Sequence, residues 1–364
     1  GWRPALDFGS SCRKNTAVST PNDSMRAAVF HGIGDLRVED ASIPSVGDDE
    51  VLVRVELCGI CGTDVHILKG TFPPGHAPIT LGHEFAGRIA DTGARVAGIE
   101  VGALVTADIA VSCGACSFCR HGQRLFCADV GQIGVHRDGA FAEYVAVPAA
   151  MIHRLPSGMT AGQGACVEPL ACVLHGHERA AITAGSTVVV IGAGPMGLLH
   201  VQLARLRGAA LVLCSEPHEG RSALAGRLGA DIVIDPTADD PVAAVMEATG
   251  GRGADVVIEA VGSIPTYRQA FQMVRRGGTV LAFGAAPSGE TLDVSPFDIY
   301  ARELTVLGSY AATYGTYEDA IALIASGRVE VDSAISDVYP LDQMDAAMAR
   351  LATDRSVVKL QIRP

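Results

Sequence analysis

Residues 188–197 read VVVIGAGPMG, and their three glycines have the spacing G-x-G-x-x-G. The β-branched run before the glycines predicts a buried strand, and the sequence after them predicts an amphipathic helix. Between a strand and a helix, such glycines permit a tight turn and let the backbone approach a pyrophosphate, which the free N–H groups of the helix N-terminus would bind. We therefore predict a dinucleotide-binding turn, whose cofactor-binding residues are Gly192, Gly194, Pro195, Met196 and Gly197.

The next predicted strand, ALVLCSE at residues 210–216, ends in a carboxylate. Glu216 lies about 20 residues beyond the glycine turn, where an acidic residue contacts the adenosine ribose in this kind of fold. Its carboxylate can accept hydrogen bonds from both ribose hydroxyls, and its charge would repel a 2′-phosphate. The position therefore predicts NAD rather than NADP. Arg221 is a further candidate contact, since its guanidinium could stack on the adenine.

The chain on either side of this turn divides into segments with different patterns. Residues 25–178 contain short alternating strands with Gly and Pro turns, together with most of the His and Cys residues. Residues 179–309 repeat apolar strands separated by helical segments, which predicts a parallel sheet with helices on both faces. The predicted fold class is α/β, with a Rossmann doubly wound parallel-sheet coenzyme domain beside a β-rich catalytic domain, which residues 310–364 rejoin.

The N-terminal residues differ from the rest of the chain. Residues 1–24 are polar and lack the continuous apolar stretch of a signal peptide. We expect them to be a disordered extension ahead of a natural start at Met25, in a cytoplasmic protein. In that compartment the ten cysteines of the chain are expected to be metal ligands or buried apolar groups rather than disulfides.

The composition argues against several classes of partner. Hydrophobic residues make up 48% and charged residues 19% of the 364 residues, which is enough to build a large core. The net charge of −12 argues against a nucleic acid or an anionic membrane surface as partner. No run approaches the roughly 20 apolar residues that a membrane span requires. A small molecule is the partner that remains.

One cluster of cysteines has the spacing of a metal site. The segment CGACSFCRHGQRLFC, residues 113–127, places four thiols in a C-x2-C-x2-C-x7-C pattern. Four thiolates can close a tetrahedral site with no open position, which is how structural zinc is held. An iron–sulfur cluster is the alternative, but no proline follows the last cysteine and no second cluster motif is present. The predicted structural-zinc ligands are Cys113, Cys116, Cys119 and Cys127.

A second group of possible ligands is scattered along the chain. The segment CGICGTDVH, residues 58–66, is followed by His83 and Glu84 in LGHEFAG and by Glu168 in VEPLAC. A catalytic zinc needs three protein ligands and an open position for water or substrate. A thiolate, an imidazole and a carboxylate would satisfy that need, although no spacing rule by itself links these three segments.

The motifs together resemble the zinc-dependent medium-chain dehydrogenases, near the branches of the sorbitol or polyol, threonine and butanediol dehydrogenases. The resemblance extends from Met25 to Pro364 and rests on CGICGTDVH, GHEFAG, the four-cysteine lobe, DGAFAEYVAVP, VEPLAC, GAGPMG and RELTVLGSY, in the family's order. It implies that the β-rich domain is GroES-like. It also implies one catalytic and one structural Zn²⁺, NAD as coenzyme, and a homo-oligomer, either dimer or tetramer.

Carried over residue by residue, the resemblance implies a catalytic zinc bound by Cys61, His83 and Glu168. Cys58 would then be a packing residue rather than a ligand. Asp64 would orient a ligand from behind, as metal sites usually require.

The resemblance also implies catalytic roles for three residues near the metal. Thr63 would hydrogen-bond the substrate oxygen, and His66 would pass the proton to solvent. Glu84 would be a carboxylate beside the metal that can exchange with water.

The implied reaction is hydride transfer to NAD from a secondary alcohol of a polyol, sugar alcohol or vicinal diol. An L-threonine 3-dehydrogenase-like or simple secondary-alcohol dehydrogenase activity stays open, as do a zinc-independent reductase or lyase and a non-catalytic nucleotide-binding protein. Ile67 and Leu68 stand where sorbitol dehydrogenases often carry aromatic residues, which puts sorbitol itself in doubt. Arg302 and Glu303 could bind substrate hydroxyls or form a surface ion pair.

Overall fold

The computed structural model describes residues 24–287 and 289–364. The predicted extension at residues 1–24 lies outside the described residues except for Ser24, which begins the first strand. Within the described part of the chain, no helix is both long and apolar enough to cross a membrane.

The N-terminal part of the described chain, residues 24–180, is built mainly of strands. Its strands are β1 (Ser24–Gly32), β2 (Asp35–Ser42), β3 (Glu50–Gly59), β4 (Ile79–Thr80), β5 (Glu84–Thr92), β6 (Leu104–Ala107), β7 (Ala110–Val111), β8 (Gly131–Gln132), β9 (Tyr144–Pro148) and β10 (Ile152–Arg154). Its helices are α1 (Gly62–Leu68), α2 (Ser117–Arg120), α3 (Ala161–Gly164) and α4 (Val167–Ala180). Most of these strands pair antiparallel around a core of mainly aliphatic side chains.

The middle of the chain forms a separate six-stranded sheet. Its strands are β11 (Thr187–Ile191), β12 (Leu211–Ser215), β13 (Ile232–Ile234), β14 (Ala254–Glu259), β15 (Val274–Ala282) and β16 (Thr305–Gly308). Its helices are α5 (Pro195–Leu206), α6 (Glu219–Arg227), α7 (Pro241–Ala248), α8 (Ile264–Met273) and α9 (Pro296–Ala301). All paired strands run parallel in the order β13-β12-β11-β14-β15-β16. This is the doubly wound order, in which ligands bind where the strand order reverses, here between β11 and β14.

The C-terminal segment returns to the first sheet. It contains α10 (Tyr314–Ala325), β17 (Ile335–Pro340), α11 (Met344–Thr353) and β18 (Lys359–Arg363). Strand β18 pairs antiparallel with the end of β3, so that Gln361 faces Gly59 and Ile362 faces Cys58. The larger sheet therefore has the order β10-β6-β5-β3-β18-β17, with β9 also paired to β3. Short 3-10 helices lie at Arg124–Phe126, Ala149–Met151, Asp332–Ala334 and Leu341–Gln343.

Two helices join the parts of the molecule through a buried contact. On α4, His177 Nε2 lies 3.0 Å from Nδ1 of His200 on α5, and the two rings are stacked. Both side chains are buried, and burial lowers the pKa of His177 to about 3. Two neutral imidazoles therefore share one hydrogen bond between the helix before the parallel sheet and the helix that follows the glycine turn.

The glycine turn depends on a close approach of backbone to backbone. All five residues of β11 are buried, as a strand covered by helices on both faces requires. Gly194 precedes α5, and Pro195 occupies its first turn, where a proline is favoured. A Cβ on Gly197 would lie 1.8 Å from the carbonyl oxygen of Gly192, whose own N–H is bonded to Ser215 at 2.8 Å. A side chain at Gly197 would therefore force this turn apart.

We expect Gly197→Ala to destabilise the protein by about 1–3 kcal/mol, the usual cost of overpacking, because the opposing atoms are backbone. Thermal unfolding without coenzyme measures the effect. Gly194→Ala is the matched control, since a Cβ there meets nothing within 4 Å, and it should unfold near the wild-type temperature. Equal unfolding temperatures for the two variants would show that the close approach at Gly197 is not required.

Candidate metal and coenzyme site

The candidate site lies where neighbouring strands of the larger sheet bring polar side chains together. Gly59, at the end of β3, faces Glu84 at the start of β5. A Cβ on Gly59 would lie 2.3 Å from Glu84 Oε2, so glycine leaves the space that the carboxylate occupies. From β18, Lys359 Nζ donates to Glu84 Oε2 at 2.6 Å and to the carbonyl of Ile60 at 3.1 Å. Glu84 and Lys359 are both buried.

Helix α1 explains the local arrangement of CGTDVH. Cys61 is its N-cap residue, and the carboxylate of Asp64 accepts a 2.8 Å hydrogen bond from the Cys61 N–H. The other oxygen of Asp64 lies 3.5 Å from His83 Nδ1, with both groups buried. Asp64 therefore stands behind both Cys61 and His83, where it can orient the imidazole.

Three side chains present donor atoms to one point. Atoms of Cys61, His83 and Glu84 all lie within 4.8 Å of one another. Glu84 Oε1 is buried and has no hydrogen-bond partner among the described residues, although Oε2 accepts from Lys359. A thiol, an imidazole and an unpartnered carboxylate oxygen are the ligand types of a zinc site with an open position. The residues present therefore fit a catalytic zinc.

Glu168 approaches the same region from α4 but lies outside this compact group. The sequence prediction places Glu168 in the ligand set and gives Glu84 a catalytic role, whereas Glu84 is the carboxylate nearest to Cys61 and His83. Cys172 donates to Glu168 Oε1 at 3.2 Å, which places this thiol beside the carboxylate. Burial raises the pKa of Glu168 to about 7, opposed by the nearby His83. Glu168 lines the same cavity as the three donors.

The two cysteines of CGIC occupy different surroundings. Cys58 is fully buried in the core, and burial raises the pKa of its thiol well above the usual range. Cys61 is partly exposed and lines the cavity. A metal must be able to reach the sulfur that binds it, and the sulfur-bearing side chain of Cys61 is accessible from the cavity.

Thr63 and His66 lie one turn apart on α1 and both line the cavity. His66 Nδ1 lies 2.9 Å from the hydroxyl of Thr71, which leaves Nε2 as the nitrogen available to another group. Thr63 Oγ1 lies 3.7 Å from the Cys61 sulfur. No direct hydrogen bond joins Thr63 to His66 in the part of the chain that the structure describes.

The four-cysteine lobe is preformed. The Sγ atom of Cys119 lies 3.5 Å from that of Cys116 and 4.0 Å from that of Cys113. Tetrahedral zinc with Zn–S bonds of about 2.3 Å separates its sulfurs by about 3.8 Å, so these distances fit one ion. Backbone N–H groups of Ala115 and Cys116 lower the pKa of Cys113 to about 7, which favours the thiolate that binds metal. Cys127 completes the group.

The coenzyme crevice opens at the reversal point of the parallel sheet. Glu216 follows β12, and its carboxylate accepts hydrogen bonds from the N–H of Ala193 at 2.8 Å and of His218 at 3.0 Å. It therefore braces the glycine turn at the position predicted for the ribose contact. Arg221, the other predicted coenzyme contact on this side, donates to the carbonyl of Val357.

A cavity of about 720 Å³ connects the metal-ligand group to the crevice. Its polar lining includes Cys61, Thr63, His66, His83, Glu84 and Glu168. Its apolar lining includes Phe72, Ile109, Leu125, Phe126 and Val135, and the lining from the parallel-sheet domain, the coenzyme side, includes Met196, Ala260, Val261 and Phe283. Gln132 and Tyr310 also line the cavity and are linked by a hydrogen bond.

Three residues at or beside the site, Lys359, Gln132 and Tyr310, are not predicted from the sequence. Lys359 could have been found, because a charged residue within the apolar segment VVKLQI is rarely buried unless it is paired. Nothing in the sequence near Gln132 or Tyr310 indicates their contact. Arg302, a candidate for substrate hydroxyls, instead donates to the backbone carbonyls of Phe271 and Val274.

Comparison with known proteins agrees with this architecture. Residues 47–157 match the model of the alcohol dehydrogenase GroES-like domain, and residues 195–326 match that of the zinc-binding dehydrogenases. The chain is 33% identical to a sorbitol dehydrogenase of Halalkalibacterium halodurans over 90% of this chain and 95% of that protein. It is 32% identical to a D-arabitol-phosphate dehydrogenase of Enterococcus avium over 88% of this chain and 92% of that protein.

A solved structure is similar along nearly the whole chain. It is described as a zinc-binding dehydrogenase of Sinorhizobium meliloti bound to NADP. The two chains are 42% identical and superpose with a TM-score of 0.90, covering 94% of this chain and 99% of the other. This protein therefore belongs to the zinc-type medium-chain dehydrogenase family, with a GroES-like domain and a Rossmann-like parallel sheet.

We expect Cys61→Ser to lower the zinc content from two ions per chain to one, because the serine hydroxyl is a poorer zinc ligand than a thiolate. Cys58→Ser is the matched control in the same motif and should keep both ions, since Cys58 lies in the core. Metal analysis of purified protein provides a readout that does not depend on activity. Loss of one ion from both variants, or from neither, would contradict the assignment of Cys61 as a metal ligand and Cys58 as a core residue.

Proposed function

We propose that this protein oxidises a secondary alcohol group of a neutral polyol or vicinal diol and transfers the hydride to NAD. The observation that carries the proposal is the position of the Cys61, His83 and Glu84 donor atoms in a cavity that opens onto the nucleotide crevice. The relatives named sorbitol and D-arabitol-phosphate dehydrogenase support a substrate of the polyol class.

The chain's own residues would position the substrate and carry its proton away. When bound, zinc at the donor group would supply a Lewis acid, and nicotinamide in the crevice would supply the hydride acceptor. Thr63 would accept the hydrogen bond of the reacting hydroxyl from the cavity wall. His66, whose Nδ1 is held by Thr71, would take the proton toward solvent at Nε2. Glu168, on α4, lines the same cavity and would lie beside the open position of the metal.

Charge at the ribose end supports NAD rather than NADP. The Glu216 carboxylate is buried against the glycine turn, so a 2′-phosphate would have to approach a fixed negative group. The guanidinium of Arg221 donates to the carbonyl of Val357 and, among the described residues, forms no ion pair with Glu216. The Sinorhizobium meliloti relative is bound to NADP, which makes a direct comparison of the two coenzymes necessary.

Charge in the cavity supports a neutral substrate rather than a phosphate ester. Among the described residues that line it, Arg179 is the one arginine and no lysine is present. Arg179 donates through Nε to the carbonyl of Gly308 at 2.6 Å, on the coenzyme side. A phosphate is usually bound by several cationic or backbone donors, and the described lining of the cavity offers one cationic side chain that always carries charge.

We also propose that the protein forms a homo-oligomer and is cytoplasmic. Strand β16 is at the edge of the parallel sheet, and Val306 on it is exposed. Phe297 and Tyr300, on the preceding helix α9, are also exposed. An unpaired edge beside exposed aromatic residues is typical of a protein interface.

The direct test is NAD and NADP reduction with a panel of polyols, polyol phosphates, vicinal diols, threonine and simple alcohols. We expect the highest kcat/KM for a neutral polyol or diol with NAD, and at least a tenfold lower value with NADP. Highest turnover on a phosphate ester or on threonine would contradict the neutral-polyol assignment.

Glu216→Ala supplies the internal control for the coenzyme in the same assay. The substitution should weaken the binding of NAD and lower the ratio of kcat/KM with NAD to kcat/KM with NADP. Both effects are expected because the variant lacks the carboxylate that would accept the ribose hydrogen bonds and repel a 2′-phosphate. An unchanged ratio would place coenzyme discrimination elsewhere in the crevice.

A further inference from the structure

One hydrogen bond joins two residues that line the cavity but belong to distant parts of the chain. Tyr310, in the segment after β16, donates its hydroxyl to Oε1 of Gln132, on β8, at 3.2 Å. The two residues are 178 positions apart in the chain, and both line the cavity that contains Cys61, His83 and Glu84. The zinc-centre mechanism proposed above uses neither side chain.

The backbone around each partner is held in place. The carbonyl of Gln132 accepts hydrogen bonds from the N–H groups of Val135, His136 and Arg137, and the Gln132 side chain is largely buried. On the other side, Ser309 N–H donates to the carbonyl of Ala282, and Ala311 has a φ of +55°. A left-handed alanine is an unfavourable conformation that tends to be kept at functional sites. The backbone at each partner therefore holds the pair in place at the cavity.

The bond leaves a defined set of polar groups for a ligand. Burial raises the pKa of Tyr310, so its hydroxyl keeps its proton, which is committed to Gln132. The oxygen of Tyr310 can still accept a hydrogen bond. Gln132 Nε2 has no hydrogen-bond partner within residues 24–287 and 289–364, and it can still donate. One donor and one acceptor thus lie side by side in a cavity that also has many apolar lining residues.

We propose that Gln132 and Tyr310 determine substrate specificity by binding a second hydroxyl of the substrate, one that is not oxidised. A hydroxyl can accept from Gln132 Nε2 and donate to the Tyr310 oxygen at the same time. An alkyl group would leave both polar groups unpaired, and a phosphate, which offers mainly acceptors, would face the lone pairs of the Tyr310 oxygen. The pair therefore selects a neutral diol or polyol over a mono-alcohol or a phosphate ester. This inference rests on the proposed function.

The test compares 2,3-butanediol with 2-butanol, which differ by one hydroxyl group, at saturating NAD. Tyr310→Phe and Gln132→Leu should each lower kcat/KM for the diol about five- to tenfold, the effect of one or two hydrogen bonds of about 1 kcal/mol. Their kcat/KM for 2-butanol should stay within about twofold of wild type, because that substrate has no second hydroxyl. Tyr314→Phe is the matched control: Tyr314 is also partly exposed but does not line the cavity, and it should leave both values unchanged.

The ratio of the two kcat/KM values separates specificity from a merely structural role. An equal loss on both substrates would show that the pair only holds the walls together, and no loss on either would show that the second hydroxyl binds elsewhere; each result overturns the inference. Wild-type protein that oxidises diol and mono-alcohol equally well would overturn it while leaving the proposed function intact. If the wild-type protein failed to reduce NAD with any of the alcohols, that result would contradict the proposed function and the inference together.

Discussion

The buried ion pair between Lys359 and Glu84 links the last strand of the chain to the centre of the candidate site. A buried lysine is rarely stable without a partner, and breaking such a pair typically costs about 3–5 kcal/mol. Burial alone would lower the pKa of Lys359, but Glu84 beside it holds the pKa above its usual range. The 2.6 Å contact fixes Oε2 of Glu84, while Oε1 is buried and has no hydrogen-bond partner among the described residues. The donor group is thus complete only after the C-terminal strand has returned.

That return also explains why the cavity lies between two sheets. The chain leaves the larger sheet after β10, builds the parallel sheet, and comes back through β17 and β18. Helix α4 carries Glu168 toward the donor group, and its next turns pack against α5, which begins at the glycine turn. The candidate metal ligands and the crevice therefore share one set of packed helices. This arrangement gives a hydride donor and acceptor a fixed relative position, as oriented catalysis requires.

The sequence predicts those features that depend on local chemistry. The glycine spacing, the continuous apolar strands and the four-cysteine pattern each imply their structure from neighbouring residues, and the fold class was confirmed by the family models. The candidate site is only partly predictable. The resemblance identifies Cys61 and His83, but the contacts of Glu84 with Lys359 and of Gln132 with Tyr310 join residues 275 and 178 positions apart. Such contacts depend on how the sheets pack, and no local sequence pattern predicts them.

The central claim is that Cys61, His83 and Glu84 surround a metal in a cavity shared with the coenzyme. Anomalous X-ray scattering at the zinc absorption edge, from crystals grown with NAD, tests it most directly. The account predicts one zinc peak among these three side chains, in the same cavity as the nicotinamide, and a second peak within the four-cysteine lobe. A single peak, confined to the lobe, in crystals of protein that oxidises alcohols would contradict it.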